Sequence, residues 1–445
     1  MADVRAFAGV SYDPARVDLS RVLCPPYDVI SPAQQAAYAA RDPHNAVRIV
    51  LNPAPGEQRY AEAAAALRAW LAGGVLRRAA RPALYVHRQT FTGEGAGEMA
   101  RTGLIAAVRL EPWASGAIRP HEHTMPGPKQ DRLALMRATR ADTEPIWVFH
   151  PDPAGELRGH LTQVALRAPL LTAEFHQEPA ADEIASPERH ELWAVEDPAE
   201  VIDICAVAAA GPLYIADGHH RYETALFHAG ECGGPDDAAT RFKVMLISAA
   251  EDPGLLVLPT HRLVRLPPGR RLEEMVAGLG RRGWLAEEMP GRAALLARLD
   301  TLAATDRVGF GMYASGGWTY LEGTVAGPDV DLLPPSIATL DVGLVHEGVM
   351  RPLLGIGPTE LASGTNVGYT RDARELEARV SAGEFDLGIL IRPPTLSQVK
   401  AVADAGESMP QKSTYFWPKP ASGLVMALQE PGSRLDPGLI ERHAG

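Results

Sequence analysis

Apolar residues recur along the chain in two patterns. Long Ala- and Leu-rich stretches keep a helical period, and short unbroken apolar runs lie between Gly, Pro, Asn and Asp. Ser31-Pro32 pairs a capping side chain with a residue of fixed φ, and so predicts a helix over 33–41. Residues 60–72 predict an Ala-rich helix closed by Gly73-Gly74, and helical pattern returns at 133–139 and 221–230. The apolar runs predict strands at 46–51, 83–92, 102–110, 145–150, 212–216 and 241–248, with a polar hairpin over 93–98. From about 151 to 200 no period dominates. Past Glu251-Asp252-Pro253-Gly254 the alternation begins again, with helices expected at 271–282, 292–303 and 396–405. Strands are expected at 308–313, 318–325, 387–391 and 423–428, the last group reading as a βαβ-like unit. The fold class is therefore α/β of mixed α+β kind, organised as one region over 1–250 and a second over 251–445.

Composition narrows what such a chain can do. At 445 residues and 46% hydrophobic content it can bury a substantial core. Its formal charge of −12 argues against a nucleic-acid partner bound through a general basic field. No apolar run is long enough to span a membrane, and the start Met1-Ala2-Asp3-Val4-Arg5 has neither a basic nor an apolar leader pattern. Three scattered cysteines, Cys24, Cys205 and Cys232, form no metal or dithiol pair and suit a reducing cytoplasm. A small-molecule substrate is the expected partner, and the composition allows a homo-oligomer.

Four segments concentrate chemistry. Asp217-Gly218-His219-His220-Arg221 follows an apolar strand directly and opens a helix. Free backbone N–H groups, the positive end of a helix dipole, two imidazoles and a guanidinium then share one mouth, as an anion requires. An ordinary capped turn with solvated histidines is the competing reading. Arg119-Pro120-His121-Glu122-His123-Thr124 puts His121 and His123 on one side of an extended chain and Glu122 on the other. They can serve as metal or substrate ligands and as a general base, or simply as a hydrogen-bonded loop. The segment from Met409 to Lys419, with Lys412-Ser413-Thr414 ahead of Tyr415-Phe416-Trp417, offers two lysines and two hydroxyls; the upstream glycines of a P-loop are absent, and an aromatic packing loop with exposed lysines is an equal alternative. Cys24-Pro25-Pro26-Tyr27-Asp28 is a stiff segment that can line a pocket or merely turn the chain.

Together these segments, with Pro43-His44-Asn45, Lys129, Asp131-Arg132-Leu133 and Tyr222, resemble over nearly the whole length the bacterial and archaeal family catalogued as domain of unknown function 1015. The Asp-Gly-His-His-Arg turn is in addition similar to the phosphate-binding turn of the ParB and sulfiredoxin superfamily, in which the free L-serine kinases fall. That likeness implies a ParB/sulfiredoxin-like core elaborated with further α/β segments, and nucleotide phosphates held at Gly218, His219, His220 and Arg221. The resulting expectation is a metal-assisted phosphotransferase, a free L-serine kinase in the first instance, with ATP, ADP or pyrophosphate as donor and Mg2+ at Asp217 and Glu122. Asp217, Glu122, His219 and His220 are the expected catalytic groups. Lys129, Arg132, Lys412, Ser413 and Thr414 would add to phosphate binding, and Tyr27, Asp28, His121, His123 and Asp131 would hold the substrate. A phosphatase and a nucleotide-binding regulatory module are the alternatives. The turn, the histidine loop and the Lys412 loop are expected to converge on one pocket.

Overall fold

A computed structural model describes residues 1–93, 97–124, 126–178, 187–305, 307–314, 316–324, 333–357, 360–361, 365–410, 412–430 and 432–435. The tip of the 93–98 hairpin therefore lies outside the described residues. The architecture is mixed α/β, and the chain divides into two compact units. One comprises residues 1–120, 124–256 and 418–445, the other residues 121–123 and 257–417. Among the described residues no helix is long and apolar enough to cross a membrane.

The first unit is built on a nine-stranded mixed sheet. Its order is Ile118–Arg119, Leu213–Asp217, Ile146–His150, Phe242–Ala249, Gly97–Arg109, Leu84–Gly93, Pro187–Val195 and Leu171–His176, and Val4–Arg5 adds to Gly97–Arg109. Leu213–Asp217 runs parallel to Ile118–Arg119, and Phe242–Ala249 runs parallel to Ile146–His150; the other pairings are antiparallel. Strand alternation sorts the side chains. Leu84, Val86, Leu104, Ala106 and Val108 face one apolar core with residues of the helices Glu156–Val164, Pro198–Ala208 and His219–Cys232. Tyr85, His87, Gln89 and Phe91 point to the opposite face, and it is there that Tyr85 meets the N-terminal segment, its hydroxyl accepting from the Gly9 amide at 2.9 Å.

The helices Gln58–Ala72 and Pro126–Thr139 pack through Tyr60, Ala63 and Leu135. The expected helix after Ser31 spans Pro32–Arg41 and carries the full reciprocal cap between Ser31 and Gln34. The stretch 151–200, which shows no dominant period, holds the helix Glu156–Val164, the strands Leu171–His176 and Pro187–Val195 and the start of Pro198–Ala208.

Three expectations are corrected. Residues 46–51 are not a strand: Val47–Val50 is a short helix, with Val47, Ile49 and Val50 buried. An apolar run of this length suits a buried turn as well as a strand, and Asn45 decides between them. Its side-chain amide donates to the carbonyls of Arg21 at 2.7 Å and Leu23 at 3.0 Å, and its oxygen accepts from the Val47 amide at 3.0 Å. Of 423–428 only Ala427–Leu428 is a strand, and it pairs with Ala141–Asp142. Leu387–Leu390 belongs to a different sheet, so the expected βαβ unit does not form.

The second unit carries a six-stranded sheet in the order Leu285–Met289, Gly317–Thr324, Arg307–Ala314, Leu387–Leu390, His261–Val264 and Val367–Thr370, antiparallel throughout. Leu295 and Leu299 of the helix Arg292–Asp300 and Leu376 of Ala373–Ser381 close its core over Leu263 and Tyr320.

Because Asn45 is fully buried, Asn45→Ala leaves two carbonyls and one amide without their partner. The substitution is expected to destabilise the first unit by about 2–4 kcal/mol, read as a lowered denaturant midpoint at constant slope. An unchanged midpoint would show that the 46–51 helix does not depend on this cap.

Candidate functional site

The strand Leu213–Asp217 leaves the sheet through a bulge. Ile215 lies opposite Val148 and Asp217 opposite Trp147, so Ala216 is an extra residue that bends the strand and re-aims Asp217. Gly218 follows with φ of 104°, in the left-handed region where side chains are strained. A Cβ there would also come within 3.0 to 3.1 Å of the Arg221 guanidinium. The chain then enters the helix His219–Cys232, with His219 buried and His220 half-buried at its first two positions. The helix's leading N–H groups have no intrahelical acceptor, so this end is electropositive.

Asp217 is held from both sides. Arg221, one helical turn on and 6% exposed, donates Nη2 to Asp217 Oδ2 and Nη1 to the Pro145 carbonyl at 2.6 Å. The other carboxylate oxygen, Oδ1, lies 2.6 Å from Lys419 Nζ. The same ammonium donates to Asp28 Oδ2 at 2.7 Å. One lysine thus bridges two carboxylates at the mouth of a helix. Desolvation raises the Asp28 carboxyl, but the charges of Lys419 and Arg221 and the Lys419 hydrogen bond outweigh it and bring it down to about 2. For Arg221 burial works against the charged form, yet Asp217, Glu144 and Asp28 more than compensate, and its pKa is raised above the usual arginine value.

Beside this bridge lies a second shell of charge. The backbone amide of Tyr27 donates to Glu144 Oε1 at 3.0 Å, and the Ser422 hydroxyl donates to the same oxygen at 2.9 Å. Arg132 stacks its guanidinium 3.7 Å from the centre of the Tyr27 ring, and its Nη1 reaches Glu144 Oε2 at 3.5 Å and the Val50 carbonyl at 2.7 Å. Burial drives the Tyr27 phenol up to about 12 against the pull of Arg132 and Arg221, so it stays protonated at neutral pH. Asp131 accepts from Arg132, from the Tyr60 hydroxyl at 2.8 Å and from Arg59 at 3.2 Å. Burial raises the Asp131 carboxyl and these donors lower it, with a net downward shift. Lys243 is buried against Asp142 and donates to the Glu144 carbonyl at 2.8 Å. Arg132, Asp142, Glu144, Arg221 and Lys243 line one small cavity.

Sequence-named residues divide between the two units. Tyr27, Asp28, Asp131, Arg132, Asp217, Gly218, His219, His220 and Arg221 lie in the first, as does Lys129, whose ammonium donates to Glu223 at 2.9 Å. His121, Glu122, His123, Lys412, Ser413 and Thr414 lie in the second. There His121 Nε2 is 3.0 Å from the Thr414 hydroxyl, the His121 carbonyl accepts from the Met409 amide at 2.9 Å, and Glu122 bridges to Met409. Lys412 has φ of 57°, and its carbonyl accepts from the buried Arg262 at 3.2 Å. Ser413 is buried, its hydroxyl donating to the Pro410 carbonyl at 2.5 Å, while His123 is exposed.

Two first-unit residues central to this geometry, Lys419 and Glu144, are not among the site residues expected from the sequence, although Lys419 ends the Met409 to Lys419 segment read there. Each had a signal. Lys419 stands between Pro418 and Pro420, an unusually rigid place for a flexible cation, and Glu144 closes the polar run Asp142-Thr143-Glu144 just ahead of the apolar run Ile146-Trp147-Val148-Phe149. As for metals, among the described residues no group of three or more His, Cys, Asp or Glu is placed to hold an ion. Asp28 and Asp217 remain a two-carboxylate set, the number Mg2+ ordinarily takes when phosphate oxygens and water complete its shell.

No curated protein matches the chain. Among solved structures the chain is similar to a conserved hypothetical protein from Pyrococcus furiosus, at 13% identity and a TM-score of 0.33, covering 70% of this chain and 90% of that one. It is also similar to a free serine kinase in complex with AMP, at 13% identity and a TM-score of 0.35, covering 76% and 92%. SbnI with a C-terminal truncation, from Staphylococcus aureus, is similar at 13% identity and a TM-score of 0.36, covering 75% and 92%. One family model, described as protein of unknown function (DUF1015), matches residues 4–343, more than half of the sequence, and the chain belongs to that family.

Proposed function

We propose that the protein is a magnesium-assisted phosphotransferase acting on a small hydroxyl-bearing metabolite, with free L-serine as the acceptor to test first and ATP, ADP or pyrophosphate as donor. The observation that carries this reading is the Lys419 ammonium, 2.6 Å from Asp217 and 2.7 Å from Asp28 at the N-terminal mouth of the helix His219–Cys232. Phosphoryl transfer asks a protein mainly to position reactants and to neutralise charge on the transferred group. A helix N-terminus opened by a left-handed glycine, a lysine and a pair of carboxylates able to hold a divalent cation meet that demand at one place.

The side chains then take distinct roles. Asp28, held at about 2, is a poor proton acceptor at neutral pH and a good ligand for a cation. Asp217, with one oxygen facing Arg221 and the other Lys419, is likewise suited to hold a cation. Mg2+ bound there would supply Lewis-acid charge to the donor's phosphate oxygens. Lys419, in leaving the carboxylates for the phosphoryl oxygens, keeps a positive charge on the transferred group, and the amides after Gly218 donate to the same oxygens. The acceptor oxygen bonds to phosphorus as the bridging P–O bond to the donor breaks, and the hydroxyl proton passes to the imidazole of His220. Arg221 holds Asp217 in place, and Tyr27 with Arg132 forms the wall on which a substrate rests.

With magnesium, L-serine and each donor in turn, phosphorus NMR is expected to show a phosphoserine resonance growing at the expense of one donor. Loss of added phosphoserine to free phosphate instead would make the protein a phosphatase, and binding without turnover a regulatory module.

Lys419→Met is expected to lower turnover at least about 100-fold, roughly 2.7 kcal/mol of barrier, without loss of the folded state. It has a second consequence in the metal-free protein. The stability Asp28 now contributes is present above the ordinary carboxyl range and is lost as pH falls through about 2. Without Lys419 the Asp28 carboxyl should titrate higher, which carboxyl-carbon NMR of aspartate-labelled protein reads directly. An unmoved Asp28 resonance would remove Lys419 from the bridge.

A further inference from the structure

On the sheet face opposite the main apolar core lies a run of buried polar side chains. His87, Gln89, Arg101, Glu188 and His190 are each between 0% and 3% exposed, and they come from three adjacent strands, Leu84–Gly93, Gly97–Arg109 and Pro187–Val195. Cross-strand register sets Gln89 opposite both Arg101 and His190. The contacts run in one line. His87 Nε2 is 3.0 Å from His190 Nδ1 with the two rings stacked, and His190 Nε2 is 3.3 Å from Glu188 Oε2. Gln89 Nε2 donates to the same Glu188 oxygen at 2.7 Å, and the other oxygen accepts from Gln177 at 2.5 Å. Gln89 Oε1 accepts in turn from Arg101 Nη2.

Such a line is costly unless each group is paired, and a half-satisfied polar network is worse than an apolar one. Where it ends is informative. Arg101 Nη1 donates to the Pro418 carbonyl at 2.7 Å, and Gln89 Nε2 reaches the Lys419 carbonyl at 3.2 Å. Arg101 itself is fixed, its guanidinium 3.8 Å from the centre of the Trp147 ring, and Trp147 Nε1 donates to Ser248 at 3.0 Å. Burial lowers Arg101 to about 9, which leaves it cationic at neutral pH with its donors intact.

We propose that Arg101 and Gln89 are positioning residues: by holding the consecutive carbonyls of Pro418 and Lys419 from beneath, they set the height at which the Lys419 ammonium meets Asp28 and Asp217. Lysine has many rotamers to lose, so an ammonium delivered to a fixed point needs a fixed backbone. Pro418 and Pro420 stiffen the segment, and the two hydrogen bonds anchor it to the rigid centre of the sheet. The kinetic part of this inference rests on the phosphotransferase reading; the mechanical part does not.

Two measurements on the full chain separate them. Hydrogen exchange resolved to the Lys419 and Ala421 amides is expected to quicken at least about tenfold in Arg101→Met and in Gln89→Met, and to return near the wild-type rate in Arg101→Lys, which keeps a cationic donor. Ser248→Ala serves as control: it removes the Trp147 hydrogen bond without touching either carbonyl, and should leave both amides unchanged. In the phosphorus NMR assay Arg101→Met should lower kcat at least about tenfold with KM within about threefold, and Arg101→Lys should restore part of it. Unchanged exchange in Arg101→Met, or equal loosening in Ser248→Ala, would overturn the clamp. Should Arg101→Met not fold, Gln89→Met decides on the same readouts. If wild-type protein transfers no phosphoryl group, the proposed function falls while the exchange data still decide the clamp.

Discussion

The ammonium of Lys419 lies between two carboxylates that the chain brings from far away: Asp28 is 391 residues distant in sequence, and Asp217 stands at the end of the strand next to the sheet's Ile118–Arg119 edge. Two carboxylates drawn to one place repel each other and lose water, and the ammonium between them offsets both costs. Its removal exposes the cost of that arrangement more than the worth of any single contact, since a charge left buried without its partner is far more destabilising than the pair is stabilising. Asp217 is less exposed than Asp28, and accordingly it is the one with a second cation, Arg221, on its other oxygen.

Much of the first unit can be understood as support for this bridge. The apolar face of the nine-stranded sheet is covered by helices, so its position is fixed by burial of Val, Leu and Ile side chains. Its other face is partly polar; an antiparallel region can turn such a face to water, but where the polar groups are buried, as here, something must cover and pair them. The chain's return after residue 417 does so, with the carbonyls of Pro418 and Lys419 accepting from Arg101 and Gln89 and the Ser422 hydroxyl donating to Glu144. Glu144 in turn accepts from the Tyr27 amide, which orients the residue just before Asp28. Three segments that share no secondary structure are thereby registered against one another by buried polar atoms, whose directional bonds fix geometry more tightly than apolar contact does.

This division explains what was legible in the sequence. Long periodic segments and capped starts, such as the helix after Ser31 and the helix from His219, could be read because the information is local. So could the Asp217–Arg221 turn, where an apolar strand passes straight into polar residues. The run at 46–51 could not, because a buried side chain of Asn45 bonding back to Arg21 and Leu23 chooses helix over strand. The run at 423–428 failed for a related reason: most of it lies against other parts of the chain as irregular backbone, its residues 424–426 buried and pairing only through an isolated bridge of Met426 to Val10. Lys419 and Glu144 were illegible as site residues because nothing in their own neighbourhoods announces the partners. A lysine in a loop is ordinary until Asp28 and Asp217 are seen on either side of its nitrogen. The polar line from His87 to Arg101 is harder still, since alternate His, Gln and Arg in strands look like a solvated face until the covering segment is placed.

The chemistry of the bridge also limits which group can accept a proton. A carboxylate held at about 2 by two neighbouring cations is nearly five units from neutrality, and its basicity is too low to draw a hydroxyl proton in step with bond formation. Asp217, whose two oxygens face Arg221 and Lys419, offers its electron density to cations already in place. Used as bases, both aspartates would work against Arg221 and Lys419; used to hold positive charge, they do not. In the proposed reaction the proton acceptor is therefore an imidazole of this mouth, that of His219 or His220. Of the two, His219 is buried and His220 half-buried, so His220 can meet a substrate hydroxyl and still exchange its proton with solvent between turnovers. In the proposed reaction Asp217 and the imidazoles that follow it in sequence take two different roles, set by the position of one lysine.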